Sequence, residues 1–122
     1  NQEFQLRVSE VSDLAQASFS FSDPIGWGES ALTSLIDKTW RHRAYGDFWS
    51  HCLVAEGAVD IAAEPELALY DYAALVPIVG ESGGHISDFL GQTLPINDSD
   101  AHPSVLTTNK SLHKIVTELL NT

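Results

Sequence analysis

Hydrophobic and polar positions alternate over Phe4 to Val8 and again over Gln16 to Ser22, the period-two pattern of strands with one buried face. Ser9 to Leu14, between them, suits a short helical turn. The period then lengthens: Leu32, Leu35 and Ile36 recur at helical spacing as far as Trp40. Asp23-Pro24 offers an N-cap followed by proline at the first helical position, which predicts a helix over Pro24 to Trp40. Arg41 to Tyr45 fits a short strand and Gly46 a turn. Asp47 is placed to cap a helix carrying Phe48, Cys52, Leu53 and Val54, with Gly57 ending it. Val59 to Ala63 suits a buried strand, closed by the proline of Glu64-Pro65-Glu66.

A further helix opens near Tyr70-Asp71-Tyr72-Ala73 and closes at Gly83-Gly84. Pro77 lies inside it, where the missing N–H removes one backbone hydrogen bond and should bend or loosen the helix. His85 to Leu90 is the next strand, Gly91 to Pro103 a loop, and Val105 to Thr108 the last strand. Ser111 to Leu120 forms an amphipathic helix built on Leu112, Ile115, Val116 and Leu119. Strands alternating with helices predict an α/β layered domain, a mixed or largely parallel sheet flanked by helices. At 122 residues and 43% hydrophobic content, the expectation is a single domain over residues 1–122.

Charge narrows the choice of partner. Seventeen Asp and Glu against six Lys and Arg give a formal net charge of −11, which repels nucleic acid and anionic membrane. No apolar run approaches the ~20 residues needed to cross a bilayer. A phosphorylated metabolite would be repelled as well, unless divalent cations reverse the sign within its site. Cys52 is the only cysteine, so no internal disulfide forms, and a reducing, cytoplasmic setting is the expectation. The five histidines show no zinc spacing, and no nucleophile elbow or phosphate-binding glycine loop occurs. Trp27, Trp40 and Trp49 are read as packing residues, and Cys52 as core.

Four residues stand out for chemistry, each with a plainer alternative. Asp71 is a candidate ligand for a hard cation such as Mg²⁺, which favours carboxylate oxygen and often takes only one or two protein carboxylates beside substrate phosphate. On local pattern alone a helix cap explains it more economically. Glu64 leaves a buried strand seven residues earlier, where a strand end and a helix start bring two carboxylates to one rim; a solvated loop glutamate is the alternative. Asp47 follows Gly46 at a second strand-to-helix turn and suits a substrate amine or hydroxyl. Arg43, on the strand feeding that turn, suits phosphate. A helix cap and a strand-edge arginine account for these two equally simply.

Three stretches resemble the inositol monophosphatase family: Arg43-Ala44-Tyr45-Gly46-Asp47-Phe48-Trp49, Leu53-Val54-Ala55-Glu56-Gly57-Ala58-Val59-Asp60, and Tyr70-Asp71 with Ala73-Ala74-Leu75-Val76-Pro77-Ile78. Leu75 departs from the small residue of the general signature and matches the branch acting on histidinol phosphate. The resemblance implies the fold of that family's C-terminal domain and Mg²⁺-dependent hydrolysis of a small phosphomonoester, L-histidinol phosphate. Inositol 1-phosphate or another sugar phosphate is the alternative substrate. It implies Asp71 as metal ligand, Glu64 as contact to the leaving alcohol, and Asp47 and Arg43 as neighbours in the substrate pocket. A homodimer is implied too. The family's first signature, Asp-Pro-x-Asp-Gly-Thr, is missing, since Asp23-Pro24 continues as Ile25-Gly26-Trp27. The expectation is therefore that the chain is the C-terminal half of a larger phosphatase, with its N-terminal metal-binding half elsewhere, and is inactive alone. An acidic α/β module that only binds or assembles is the competing class.

Overall fold

The computed structural model describes residues 5–28 and 30–122. Phe4, which opens the first expected strand, lies outside them. Residues 5 to 13 carry no strand; Val8 instead donates its N–H to the Ser82 carbonyl. A single 3-10 turn at Leu14–Gln16, capped by the Asp13 carboxylate, replaces the turn expected over Ser9 to Leu14.

Beyond it the chain alternates as read. The elements are β1 (Ser18–Ser20), α1 (Ala31–Lys38), β2 (Arg41–Arg43), α2 (Asp47–Ala55), β3 (Ile61–Glu64), α3 (Leu69–Tyr72), α4 (Leu75–Glu81), β4 (His85–Ser87), β5 (Val105–Thr108) and α5 (His113–Leu120). The sheet runs β2-β1-β3-β5-β4. β2, β1 and β3 are parallel, with Ser18 opposite Arg41 and Phe19 opposite Ile61. β5 lies antiparallel to both β3 and β4, so the sheet is mixed.

Side-chain alternation along the strands sorts the core into two faces. Phe19, Phe21, Ile61, Ala63 and Leu106 pack against Leu32 and Leu35 of α1 and Leu112 and Val116 of the α5 segment. On the other face Ala62 meets Val54 of α2, and Val105 joins Tyr72 and Leu75 of the α3–α4 region. Helices thus cover both sides of the sheet.

Two expected helices begin or run differently. Asp23 does not cap α1; its carboxylate accepts the Ile25 N–H at 2.8 Å in a local turn, and the helix starts only at Ala31. Gly26, at φ +90°, is left-handed there, a conformation no helix interior contains. The helix expected from Tyr70 onward is split. Pro77 has no N–H for the carbonyl of Ala73, four residues back, and its ring crowds that carbonyl. The break falls at Ala73–Ala74, between α3 and α4. The double glycine after α4 serves close packing: a Cβ at Gly84 would sit 2.8 Å from Val8 Cγ1 and 2.9 Å from the Thr108 carbonyl.

The tryptophans divide. Trp27 packs edge-on to Phe19 and against Phe89. Trp40 and Trp49 are 65% and 50% exposed, contrary to the packing role expected; Trp40 carries the Arg41 guanidinium over its ring at 5.1 Å. No helix among the described residues is long and apolar enough to cross a membrane.

Candidate active site

Because β2, β1 and β3 run in one direction, their carboxyl ends share one edge of the sheet, where open α/β sheets gather ligands. The chain leaves β1 toward Ser22 and Asp23, leaves β2 toward Gly46 and Asp47, and ends β3 at Glu64. Asp71 joins them from α3. A cleft of about 460 Å³ opens over this edge, lined by Ser22, Asp23, Asp47, Glu64, Glu66, Tyr70, Asp71 and His102 among others. Three of the four residues singled out in the sequence, Asp47, Glu64 and Asp71, therefore meet in one place.

Arg43 does not join them. It closes β2, its guanidinium donates to the His42 carbonyl at 2.7 Å, and it lines a separate hollow with Trp40, Tyr45 and Val59.

Glu64 is not a solvated loop residue. It is the last residue of β3 and only 4% exposed. Ser22 Oγ donates to its Oε1 at 2.6 Å. Burial pushes the carboxyl up to about 7; the Ser22 hydrogen bond opposes that rise, and the nearby charges of Asp47 and Asp23 add to it.

Asp47 does not cap α2 either. Gly46 holds the N-cap position and Asp47 is the first helical residue. Its φ of 43° lies in the left-handed region, which costs a non-glycine residue about 1 kcal/mol. The contact that fixes it comes from Ser22: the Asp47 N–H donates to Ser22 Oγ at 2.7 Å, and Ser22 Oγ lies 3.2 Å from Asp47 Oδ1. Asp71 is the third residue of α3, behind an N-cap at Ala68. The capping alternative fails here too, and Asp71 lines the cleft.

Ser22 and His102 were not foreseen. His102 comes from the loop before β5 and sits 3.6 Å from Glu66, an ion pair when the imidazole is protonated. Nothing local in the sequence marks either residue, since each reaches the cleft through contacts far along the chain.

The cleft brings five carboxylates and one imidazole together. Yet no three of His, Cys, Asp or Glu among the described residues cluster closely enough to hold a metal ion. Carboxylate oxygens are the donors that a hard cation favours, and such a cation often takes only one or two of them from a protein.

A five-stranded mixed sheet between helices, with carboxylates gathered at the ends of parallel strands, defines an α/β domain carrying an acidic cleft. A model of the inositol monophosphatase family matches residues 2–122, and the chain belongs to that family. It is 46% identical over 121 residues to a histidinol-phosphatase of Mycobacterium tuberculosis, aligning 96% of this chain with 45% of that protein. A Streptomyces coelicolor histidinol-phosphatase is 50% identical over 95 residues, covering 75% of this chain and 36% of that one. Among solved structures, an inositol monophosphatase of Zymomonas mobilis superposes with a TM-score of 0.86 at 24% identity, over 96% of this chain and 47% of the other. The Thermotoga maritima inositol monophosphatase does so at 0.82 and 25%, over 95% and 44%. The chain spans less than half the length of each of these relatives.

Proposed function

We propose that this chain supplies the alcohol-binding wall and one metal ligand of a Mg²⁺-dependent phosphomonoesterase, with histidinol phosphate as substrate. The observation that carries this is the meeting of Asp47, Glu64 and Asp71 in one cleft at the carboxyl ends of parallel strands. Identity of 46–50% to two proteins named histidinol-phosphatase supports the choice of substrate. The inositol monophosphatase structures, at 24–25%, speak only to the fold.

Asp71 holds the cation. Glu64 and Asp47 face the alcohol half of the ester, where two carboxyl groups favour a leaving group bearing hydroxyl or ammonium donors. With a net charge of −11 and a cleft lined by carboxylates, the chain has no means of attracting phosphate by itself. Mg²⁺, when bound, supplies that attraction, activates water and stabilises the departing oxygen. One carboxylate is too few to hold it firmly, so we further propose that the remaining ligands come from an N-terminal half of a longer protein. The active protein is a soluble homodimer in this proposal.

Phosphate release by the full-length protein from histidinol phosphate, inositol 1-phosphate and fructose 1,6-bisphosphate, with and without Mg²⁺, tests the proposal. Metal-dependent preference for histidinol phosphate is expected. Preference for either sugar phosphate would overturn the substrate. Absence of metal-dependent release from all three would leave a module that only binds or assembles.

A further inference from the structure

We infer that Ser22 is the positioning residue of the alcohol wall, a hydroxyl on the central parallel strand's exit that joins Glu64 and Asp47 into one coupled unit. The sheet order places it there. β1 lies between β2 and β3, so the residue leaving β1 stands between the residues leaving its two neighbours. Its hydroxyl lies 2.6 Å from Glu64 Oε1, 2.7 Å from the Asp47 N–H and 3.2 Å from Asp47 Oδ1.

The count of protons makes the unit coupled. Ser22 Oγ has one proton and two lone pairs. With Glu64 ionised, that proton goes to Glu64 and one lone pair accepts the Asp47 N–H. With Glu64 protonated, the carboxyl donates to the second lone pair of Ser22, whose own proton then turns to Asp47 Oδ1. Every donor is used in both states, Asp47 Oδ1 gains its hydrogen bond only when Glu64 is protonated, and no atom has to move far. The same hydroxyl holds Asp47 in its left-handed conformation at φ 43°. Both carboxyl groups are thereby aimed by one side chain, and a change in one alters the hydrogen bonding of the other.

The inference deepens the proposed substrate wall and rests on it for its purpose, but its test involves no turnover. The charges acting on Glu64 are Asp47 from α2 and Asp23 from the loop after β1, and Glu66, Asp71 and His102 line the same cleft. Carbon-detected NMR of the full-length protein follows the Glu64 carboxyl through its titration while the Asp47 amide is observed in the same samples. In the wild-type chain the Asp47 amide should show an inflection at the Glu64 midpoint. Ser22→Ala should raise that midpoint, because the hydrogen bond that favours the ionised form is gone, and should abolish the inflection. Ser22→Thr should restore both.

An Asp47 amide blind to Glu64 in the wild-type chain would overturn the inference without any variant having to fold. An unmoved midpoint in folded Ser22→Ala, or no rescue by Ser22→Thr, would overturn it too. A failed substrate panel with these results intact would overturn only the proposed reaction.

Discussion

A carboxyl group that titrates near 7 inside the fold, against an ordinary value of 4.5, binds its proton more tightly in the folded chain than in the unfolded one. For Glu64 the resulting stability is whole below about 4.5 and is lost as pH rises through about 7. Glu64→Gln, fixed in the neutral form, should therefore match the wild-type thermal midpoint near pH 4 and exceed it by several degrees near pH 8; equal midpoints at both would show that Glu64 ionises without cost. Glu64 and Asp71 were singled out through the resemblance to the inositol monophosphatase family, since local pattern alone favoured a solvated loop glutamate and a helix cap. Their hydrogen-bond partners were not legible. Ser22 meets Glu64 across 42 positions of chain, and only strand order decides which exits become neighbours. Arg43 illustrates the converse, since its position on β2 was read correctly while its guanidinium turned to a backbone carbonyl.

At the scale of elements, the break between α3 and α4 falls just after Asp71. Pro77 is the third residue of α4, where its lack of an N–H leaves no new orphan, and the cost falls on the carbonyl of Ala73. Pro77→Ala restores an N–H that can reach that carbonyl, so α3 and α4 should fuse, with a gain in helical circular dichroism and protection of the new amide from exchange. An unprotected amide there would place the cause of the break elsewhere. The loosening was legible from the proline itself. The late start of α1 was not, because Asp23-Pro24 satisfies the rules for a helix start equally well and Gly26 alone contradicts them. The strand expected over Phe4 to Val8 failed for a related reason: alternation marks a half-buried extended segment but cannot supply the neighbouring strand that would pair with it.

For the whole molecule, two histidines, one buried and one partly buried, oppose Glu64. His51 is fully buried, with Nδ1 on Thr107 Oγ1 at 2.7 Å and Nε2 unpaired, and burial holds it down at about 3. His113 is lowered to about 4 by burial and then by the adjacent His85. Each contributes stability that is present above 6.5 and lost as pH falls through its folded value. From about 4.5 to 6.5 the two histidines outweigh the one glutamate, and above that only Glu64 of these three binds its proton differently in the folded and unfolded chain, so their joint contribution should rise with pH to about 6.5 and then decline. Thermal midpoints that climb steadily to pH 8 would contradict this balance. The layered class was legible from alternating periods. The antiparallel entry of β5 between β3 and β4 was not, since strand direction depends on where a long loop returns. What unites residue, element and sheet is the cleft in which, in the proposed function, Asp71 is the ligand for the cation. The most direct test is Mg²⁺-dependent phosphate release from histidinol phosphate by the full-length protein, wild type against Asp71→Asn. The account predicts a loss larger than the ~10–100-fold typical of removing an outer partner of a metal site, with the fold retained. Turnover by Asp71→Asn at the wild-type rate would contradict it.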